Sequence, residues 1–218
     1  MKEESDLKIL VDTKTDHQDL RLYVDPDHKL VLTLDTYVQF KEGEDERAYH
    51  RNLVDRAIFL HSNPRKFLIL GGGDGLCSRN IFKIVLKAEV TLVDYDKGVV
   101  EFCKTDPLIS ILNQGSLYRG DFHYSDAKEW VKTNDQLFDI IILDLPDPTS
   151  KELKKLYTKQ FYKDVAKHLE PGGIMSVQVH PDKIDTIVHI LTNIIKVKEV
   201  TTFDMPWLTE GAVVIGQK

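Results

Sequence analysis

Cysteine is scarce in this chain, with only Cys77 and Cys103 in 218 residues. They stand far apart with no paired spacing, which speaks against a disulfide framework and supplies no zinc-type ligand set. Both read as small helix residues. The eight histidines include no helical pair at metal-ligand spacing, so no metal is expected. Long uncharged runs are also missing. No stretch approaches the length that spans a bilayer, and Met1-Lys2-Glu3-Glu4-Ser5-Asp6 has no apolar signal region behind it. The expectation is a cytoplasmic protein with no membrane partner. There is no glycine loop ending in Lys and Ser or Thr, which argues against nucleoside triphosphate hydrolysis. A net charge of −6 argues against nucleic acid and suits a cationic small substrate. Internal repeats and low-complexity tracts are absent as well.

What is present is an ordinary globular composition, 42% apolar and 29% charged, long enough to bury a sizeable core. Asp19 to Val24, Lys29 to Leu34 and Thr36 to Phe40 are short β-type runs broken by Asp25-Pro26-Asp27-His28 and by Asp35. They predict a small antiparallel sheet within the first fifty residues. Tyr49, Leu53, Val54, Ala57, Ile58 and Leu60 then recur at helical spacing until His61-Ser62-Asn63-Pro64 ends the pattern. From Arg65 strands and helices alternate. Strands are expected at 67–70, 89–93, 119–124, 138–143, 174–179, 198–204 and 211–217, and helices at 76–86, 96–103, 126–132, 151–169 and 182–196. Leu153, Leu156, Phe161, Val165 and Leu169 would form the buried face of one helix, with Lys151, Lys154, Lys155 and Lys159 on its solvated side. Such alternation predicts a mostly parallel α/β sheet covered on both faces, the last two strands forming a hairpin around Pro206 to Gly211.

Phe67-Leu68-Ile69-Leu70 runs straight into Gly71-Gly72-Gly73-Asp74-Gly75. An apolar strand, a glycine turn and a helix make the nucleotide-binding corner of a doubly wound sheet, where ligands lie beyond the carboxyl ends of the strands. Those ends carry acids. Asp94 follows the glycine loop by about twenty residues, the offset at which a carboxylate accepts from both ribose hydroxyls, although it also suits a helix cap. Asp126 can accept from an adenine amine or cap the helix that starts at Ala127. Ile140-Ile141-Ile142-Leu143 delivers Asp144 to the edge of an apolar core, and Pro146 and Pro148 stiffen the loop that carries Asp147. A partly desolvated carboxylate suits a general base, and a second one suits an anchor for a cation.

Taken together these residues resemble the polyamine aminopropyltransferases, the spermidine synthase family, across nearly the whole length. The resemblance is carried by His17-Gln18-Asp19-Leu20, Leu34-Asp35 with Gln39, Asp45-Glu46 with Tyr49-His50, and Gly71 to Gly75. It continues through Asp144 with Asp147-Pro148, and Leu156-Tyr157 through Phe161-Tyr162 to Pro171-Gly172-Gly173 and Gln178. It implies an N-terminal β-sheet domain over 1–50 and a methyltransferase-like, Rossmann-type α/β domain over 51–218. The implied reaction moves the aminopropyl group of decarboxylated S-adenosylmethionine, a co-substrate with no tightly bound cofactor beside it, to a putrescine-like diamine, releasing methylthioadenosine. By the same resemblance Asp144 is the base and Tyr49 helps to orient the amine. Gln18, Gly71, Gly73, Asp74, Asp94, Asp126 and Ala127 hold the adenosyl sulfonium donor, while His50, Asp74, Asp147 and Gln178 line the substrate side. The family commonly forms homodimers or homotetramers.

Asp74 separates this reading from its nearest rival, a methyltransferase using intact S-adenosylmethionine, because the loop carboxylate attracts a donor ending in an ammonium and repels one that keeps its own carboxylate. The other rival is a catalytically silent relative that binds polyamine or nucleoside. Three departures from the family pattern bear on acceptor identity: Thr149-Ser150-Lys151-Glu152-Leu153 after Asp147-Pro148, Arg51 where a glutamate is frequent, and Trp207 near a substrate-facing tyrosine position.

Overall fold

The structure, a computed structural model, describes residues 7–148, 150–205 and 209–218, with the side chains of 205, 209 and 210 excepted. Thr149, Pro206 and Trp207, and with them two of the three departures in part or whole, lie outside the described residues, as do the first six residues.

The chain opens with a four-stranded antiparallel sheet in the order β1-β2-β3-β4, built from β1 (Lys8–Lys14), β2 (Asp19–Val24), β3 (Leu30–Leu34) and β4 (Tyr37–Lys41). Strand β1 was not expected from the sequence, because it is an exposed edge with few buried positions and so carries little alternation. Leu20, Leu22, Leu32 and Phe40 point from this sheet into the same apolar cluster as Leu53, Val54, Phe67 and Ile69. A helical rod follows: α1 (Glu44–His50), a π-helical turn at Arg51–Asp55 and α2 (Arg56–Leu60). Buried Ser176 donates to the Leu53 carbonyl inside that turn at 2.7 Å, tying the turn to the strand Leu169–Val179 of a second sheet.

The second sheet has seven strands in the order β10-β11-β9-β8-β5-β6-β7. These are β5 (Lys66–Gly71), β6 (Glu89–Asp94), β7 (Asp121–Tyr124), β8 (Phe138–Asp144), β9 (Leu169–Val179), β10 (Lys196–Met205) and β11 (Thr209–Gln217). The five strands from β7 to β9 are parallel; β11 returns antiparallel to β9 and pairs with β10 as a hairpin. The chain leaves β5 toward β6 and β7, then crosses back to β8 on the other flank. That reversal puts the crevice of the sheet at the carboxyl ends of β5 and β8.

Burial on both faces explains the unbroken apolar runs. Phe67 and Ile69 pack on one face with α3 (Leu76–Ile84) and α4 (Lys97–Thr105), while Leu68 and Leu70 pack on the other with α6 (Ala127–Thr133), α7 (Lys159–Lys167) and α8 (Ile184–Thr192). A further helix, α5 (Pro107–Leu112), was not foreseen; Asp106 caps it by accepting from Leu108 and Ile109, and Pro107 opens it.

The single helix expected over 151–169 is corrected. Leu153–Tyr157 forms a short 3-10 turn, and α7 starts afresh at Lys159 because extended Thr158 caps it, its Oγ accepting from Phe161 N at 3.2 Å. Leu153 and Leu156 therefore stand outside that helix, although Leu156 still packs against the cluster that holds Phe161 and Val165, and Leu169 opens β9. Among the described residues no helix is long and apolar enough to cross a membrane.

Candidate active site

The glycine loop bends where its neighbours leave no room for a side chain. Gly71 has φ +84°, and a Cβ there would stand 2.1 Å from the Asp144 carbonyl oxygen; a Cβ on Gly73 would stand 2.7 Å from Asp94 Oδ2. Only glycine lets β5, β6 and β8 bring their ends this close together. Asp94 is fixed by the approach: Oδ2 accepts from Gly73 N at 3.1 Å, and Oδ1 accepts from Asp96 N at 2.9 Å.

Asp144 ends β8 beside Gly71. Tyr49 donates its hydroxyl to Asp144 Oδ1, and Cys77 donates its thiol to Oδ2 at 3.3 Å. Burial and the facing Asp144 carboxylate push both the Tyr49 hydroxyl and the Cys77 thiol well above their ordinary ranges, so each stays protonated as a donor. Leu143 pairs with Val177, which sets Gln178 next to Asp144 at the carboxyl end of the parallel neighbour β9.

Burial lifts Asp74 to about 6, the His50 ring opposing and the Asp144 carboxylate adding to the rise. Burial likewise lifts Asp94 to about 6 against the hydrogen bonds it receives from Asp96 and Gly73. Neither carboxylate has an ion-pair partner among the described residues. Three buried side-chain atoms from the expected substrate side also lack partners: His50 Nε2, Asp147 Oδ1 and Gln178 Oε1. Unpaired buried polar atoms are costly and uncommon, and a cluster of them in a crevice marks a place that a polar ligand completes.

Behind His50 the picture reverses. Glu46 Oε1 takes His50 Nδ1 at 2.7 Å and Arg79 at 2.6 Å, with a second Arg79 contact on Oε2 at 3.3 Å. Burial acts to raise Glu46, but His50 and Arg79 outweigh it and hold the carboxyl at about 2. Burial acts to lower His50, and Glu46 outweighs it in turn. Arg79 also reaches Asn80, whose amide donates to Asp55 at 2.9 Å.

The remaining expected residues are more widely placed. Gln18 donates its amide to Asp96 Oδ2 at 3.0 Å, joined there by Thr15 Oγ1 at 2.6 Å, which docks the loop between β1 and β2 on the start of α4. His17 packs on Tyr95 with ring centroids 4.3 Å apart. Asp126 is exposed and caps α6, accepting from Lys128 and Glu129, with Ala127 buried behind it. Arg51 is exposed and paired with Glu44, turned out on the surface of the π-helical turn. A separate cavity of about 510 Å³ beyond Glu46, lined in part by Arg47, Arg51 and Lys83, holds none of the strand-end carboxylates.

Sequence reasoning missed three contributors. Asp96 was read only as the start of a helix, yet it holds Gln18. Tyr157 donates to the Pro146 carbonyl at 2.9 Å and so pins the loop between Asp144 and Asp147; its place in the Leu156-Tyr157 motif was the available signal. Cys77 had no signal, because its neighbours come from distant segments.

A profile of the spermine/spermidine synthase domain matches residues 46–216. The polyamine aminopropyltransferase of Oceanobacillus iheyensis is 38% identical over 180 residues, covering 82% of this chain and 33% of that protein. Polyamine aminopropyltransferase 2 of Bacillus cereus is 34% identical over 171 residues, covering 78% of this chain and 46% of that protein. The chain therefore spans less than half the length of these curated relatives. A crystal structure of spermidine synthase in complex with the transition-state analogue AdoDATO superposes with a TM-score of 0.80 at 25% identity, covering 96% of this chain and 73% of the other. The Thermotoga maritima spermidine synthase gives 0.77 at 25% identity, with 96% and 72% covered.

Proposed function

The chain belongs to the spermine/spermidine synthase family, and from that premise we propose that it transfers the aminopropyl group of decarboxylated S-adenosylmethionine to a putrescine-like diamine. The observation that carries this reading is the convergence of Asp74, Asp94 and Asp144 at neighbouring strand ends with no lysine or arginine paired to them among the described residues, the His50 ring only partly opposing the rise of Asp74. Both substrates are cationic, and the site is short of positive charge.

An alkylammonium, with a pKa near that of lysine at about 10.4, has no lone pair for attack until a base removes a proton. Asp144 takes that proton. Tyr49, held as a donor on Asp144 Oδ1, and Cys77, a donor on Oδ2, fix the carboxylate's orientation and leave its remaining lone pairs for the amine proton. Asp147 and Gln178 offer their unpartnered oxygens to the ammonium groups of the diamine, and alignment of the nitrogen with the carbon beside the sulfonium supplies much of the rate. The new N–C bond forms as the C–S bond breaks. Its electron pair goes to sulfur, so the sulfonium leaves as the neutral thioether of methylthioadenosine. Asp94 receives the ribose hydroxyls, Gln18 and Asp126 with Ala127 flank the nucleoside, and Gly71 and Gly73 give the donor its approach. Asp74 faces the donor's terminal ammonium.

Turnover tests the reading. Incubation of the purified protein with decarboxylated S-adenosylmethionine and a panel of di- and triamines should release one methylthioadenosine per amine alkylated. Donor and amine binding without any release would favour the silent-relative reading. We further propose that 1–50 and 51–218 act as an N-terminal and a catalytic domain in a cytoplasmic homo-oligomer, which sedimentation of the purified chain would check.

A further inference from the structure

One ring nitrogen of His50, the Cys77 sulfur and an Asp144 oxygen all lie within 4.8 Å of one another. We propose that these three side chains form a binding site for a single zinc-class divalent ion, and that the ion and the amine acceptor compete for Asp144. The competition rests on Asp144 acting as the base; the binding of the ion does not.

Imidazole nitrogen, thiolate sulfur and carboxylate oxygen form a borderline-soft donor set, suited to zinc and unsuited to magnesium or calcium. Ligands about 2.0–2.3 Å from a tetrahedral ion stand roughly 3.3–3.8 Å apart. Cys77 Sγ and Asp144 Oδ2 are already 3.3 Å apart, so small rotations of the side chains close the set. Three protein ligands leave the fourth position open toward the crevice.

The surroundings of His50 supply an independent argument. His50 is only 2% exposed, and its Nε2 has no hydrogen-bond partner among the described residues. Its Nδ1 is held by Glu46 at 2.7 Å, and Arg79 grips Glu46 in turn. A carboxylate on the far nitrogen is the arrangement that orients a metal-ligating imidazole and raises its basicity. Metal entry forms N–metal, S–metal and O–metal bonds. It releases the Cys77 thiol proton, and the Nε2 proton where His50 carries one, to solvent; no group is oxidised or reduced. Cys77 lies in the first turn of α3, three residues past Asp74, so the glycine loop that shapes the donor site also sets the sulfur.

Cobalt(II) titration of the metal-free full-length chain reads the site without any turnover. One equivalent should develop a thiolate-to-cobalt charge-transfer band with tetrahedral visible absorption, and zinc should bleach both. Cys77→Ala and His50→Gln should each lose the charge-transfer band or weaken cobalt binding at least tenfold, while Cys103→Ala keeps the parent spectrum; circular dichroism checks that each variant is folded. Zinc should also inhibit methylthioadenosine release competitively with the amine, and the inhibition constant should rise at least tenfold in Cys77→Ala. Absence of the band in the parent, or its persistence in folded Cys77→Ala, overturns the site. A band that titrates normally without inhibition overturns the competition alone and, with it, the role of Asp144.

Discussion

Two sets of buried acids sit on opposite sides of the His50 ring, and they have opposite fates. On the inner side Glu46 is gripped by His50 and Arg79 and driven to about 2, because the protein brings its own cations. On the crevice side Asp74 and Asp94 are desolvated and rise to about 6, because neither has an ion-pair partner among the described residues and the His50 ring only partly offsets the burial of Asp74. A buried carboxylate that is paired is part of the frame. One left unpaired at a strand end is a site that a cationic ligand completes.

The sharpest way to test the contrast is to remove one acid from the crevice side. Asp144→Asn should lower kcat by about 10²–10⁴-fold, the range of a lost general base, while thermal unfolding changes little; an unchanged kcat would remove Asp144 from the base role. Breaking the frame should do the reverse. Arg79→Met leaves Glu46 buried with one partner fewer and should cost about 3–5 kcal/mol of stability, read by denaturant unfolding. Loss of activity without loss of stability would move Arg79 to the crevice side. Asp74→Asn gives up a charged contact to the donor, worth about 1.5–3 kcal/mol, and should weaken donor binding about tenfold or more in calorimetry while leaving amine binding nearly intact.

The smallest effects are those of pH, and the two sets should respond with opposite signs. Glu46 has a folded pKa below its ordinary 4.5, so the folded state binds its proton less readily than the unfolded one. Its contribution to stability is complete above about pH 4.5 and is lost as pH falls toward 2. Asp74 and Asp94 have folded pKa values above the ordinary 3.8, so the folded state holds their protons longer. Stability from them falls as pH rises from about 4 to 6, the interval in which donor affinity should rise because the ammonium meets an ionised carboxylate. Unfolding curves and donor titrations across pH 2–7 check both signs.

Much of this was legible in the residues. The Phe67 to Gly75 run announced the central strand and the glycine turn after it, because a strand covered on both faces must be continuously apolar, but the close approach of Gly71 to Asp144 depends on which strand lies beside β5 and no local pattern states that. Asp144 was legible as a carboxylate at the end of an apolar strand, whereas Tyr49 was legible only through the family resemblance, and the 95 residues between them hide a contact that no local pattern encodes. The Glu46–His50–Arg79 frame was half visible: Glu46 and His50 stand four residues apart on one helical face, but Arg79 arrives from α3. Thr158 was overlooked because the apolar spacing from Leu153 to Leu169 continues across the break, and hydrophobic period does not register a cap. Strand β1 and helix α5 were missed for want of buried positions and of length.

The claim that the unpaired acids select a donor without a carboxylate is tested most directly by melting the protein with each sulfonium in turn. Decarboxylated S-adenosylmethionine should raise the melting temperature in a concentration-dependent way, and intact S-adenosylmethionine should raise it far less. Stabilisation by intact S-adenosylmethionine alone would contradict the account.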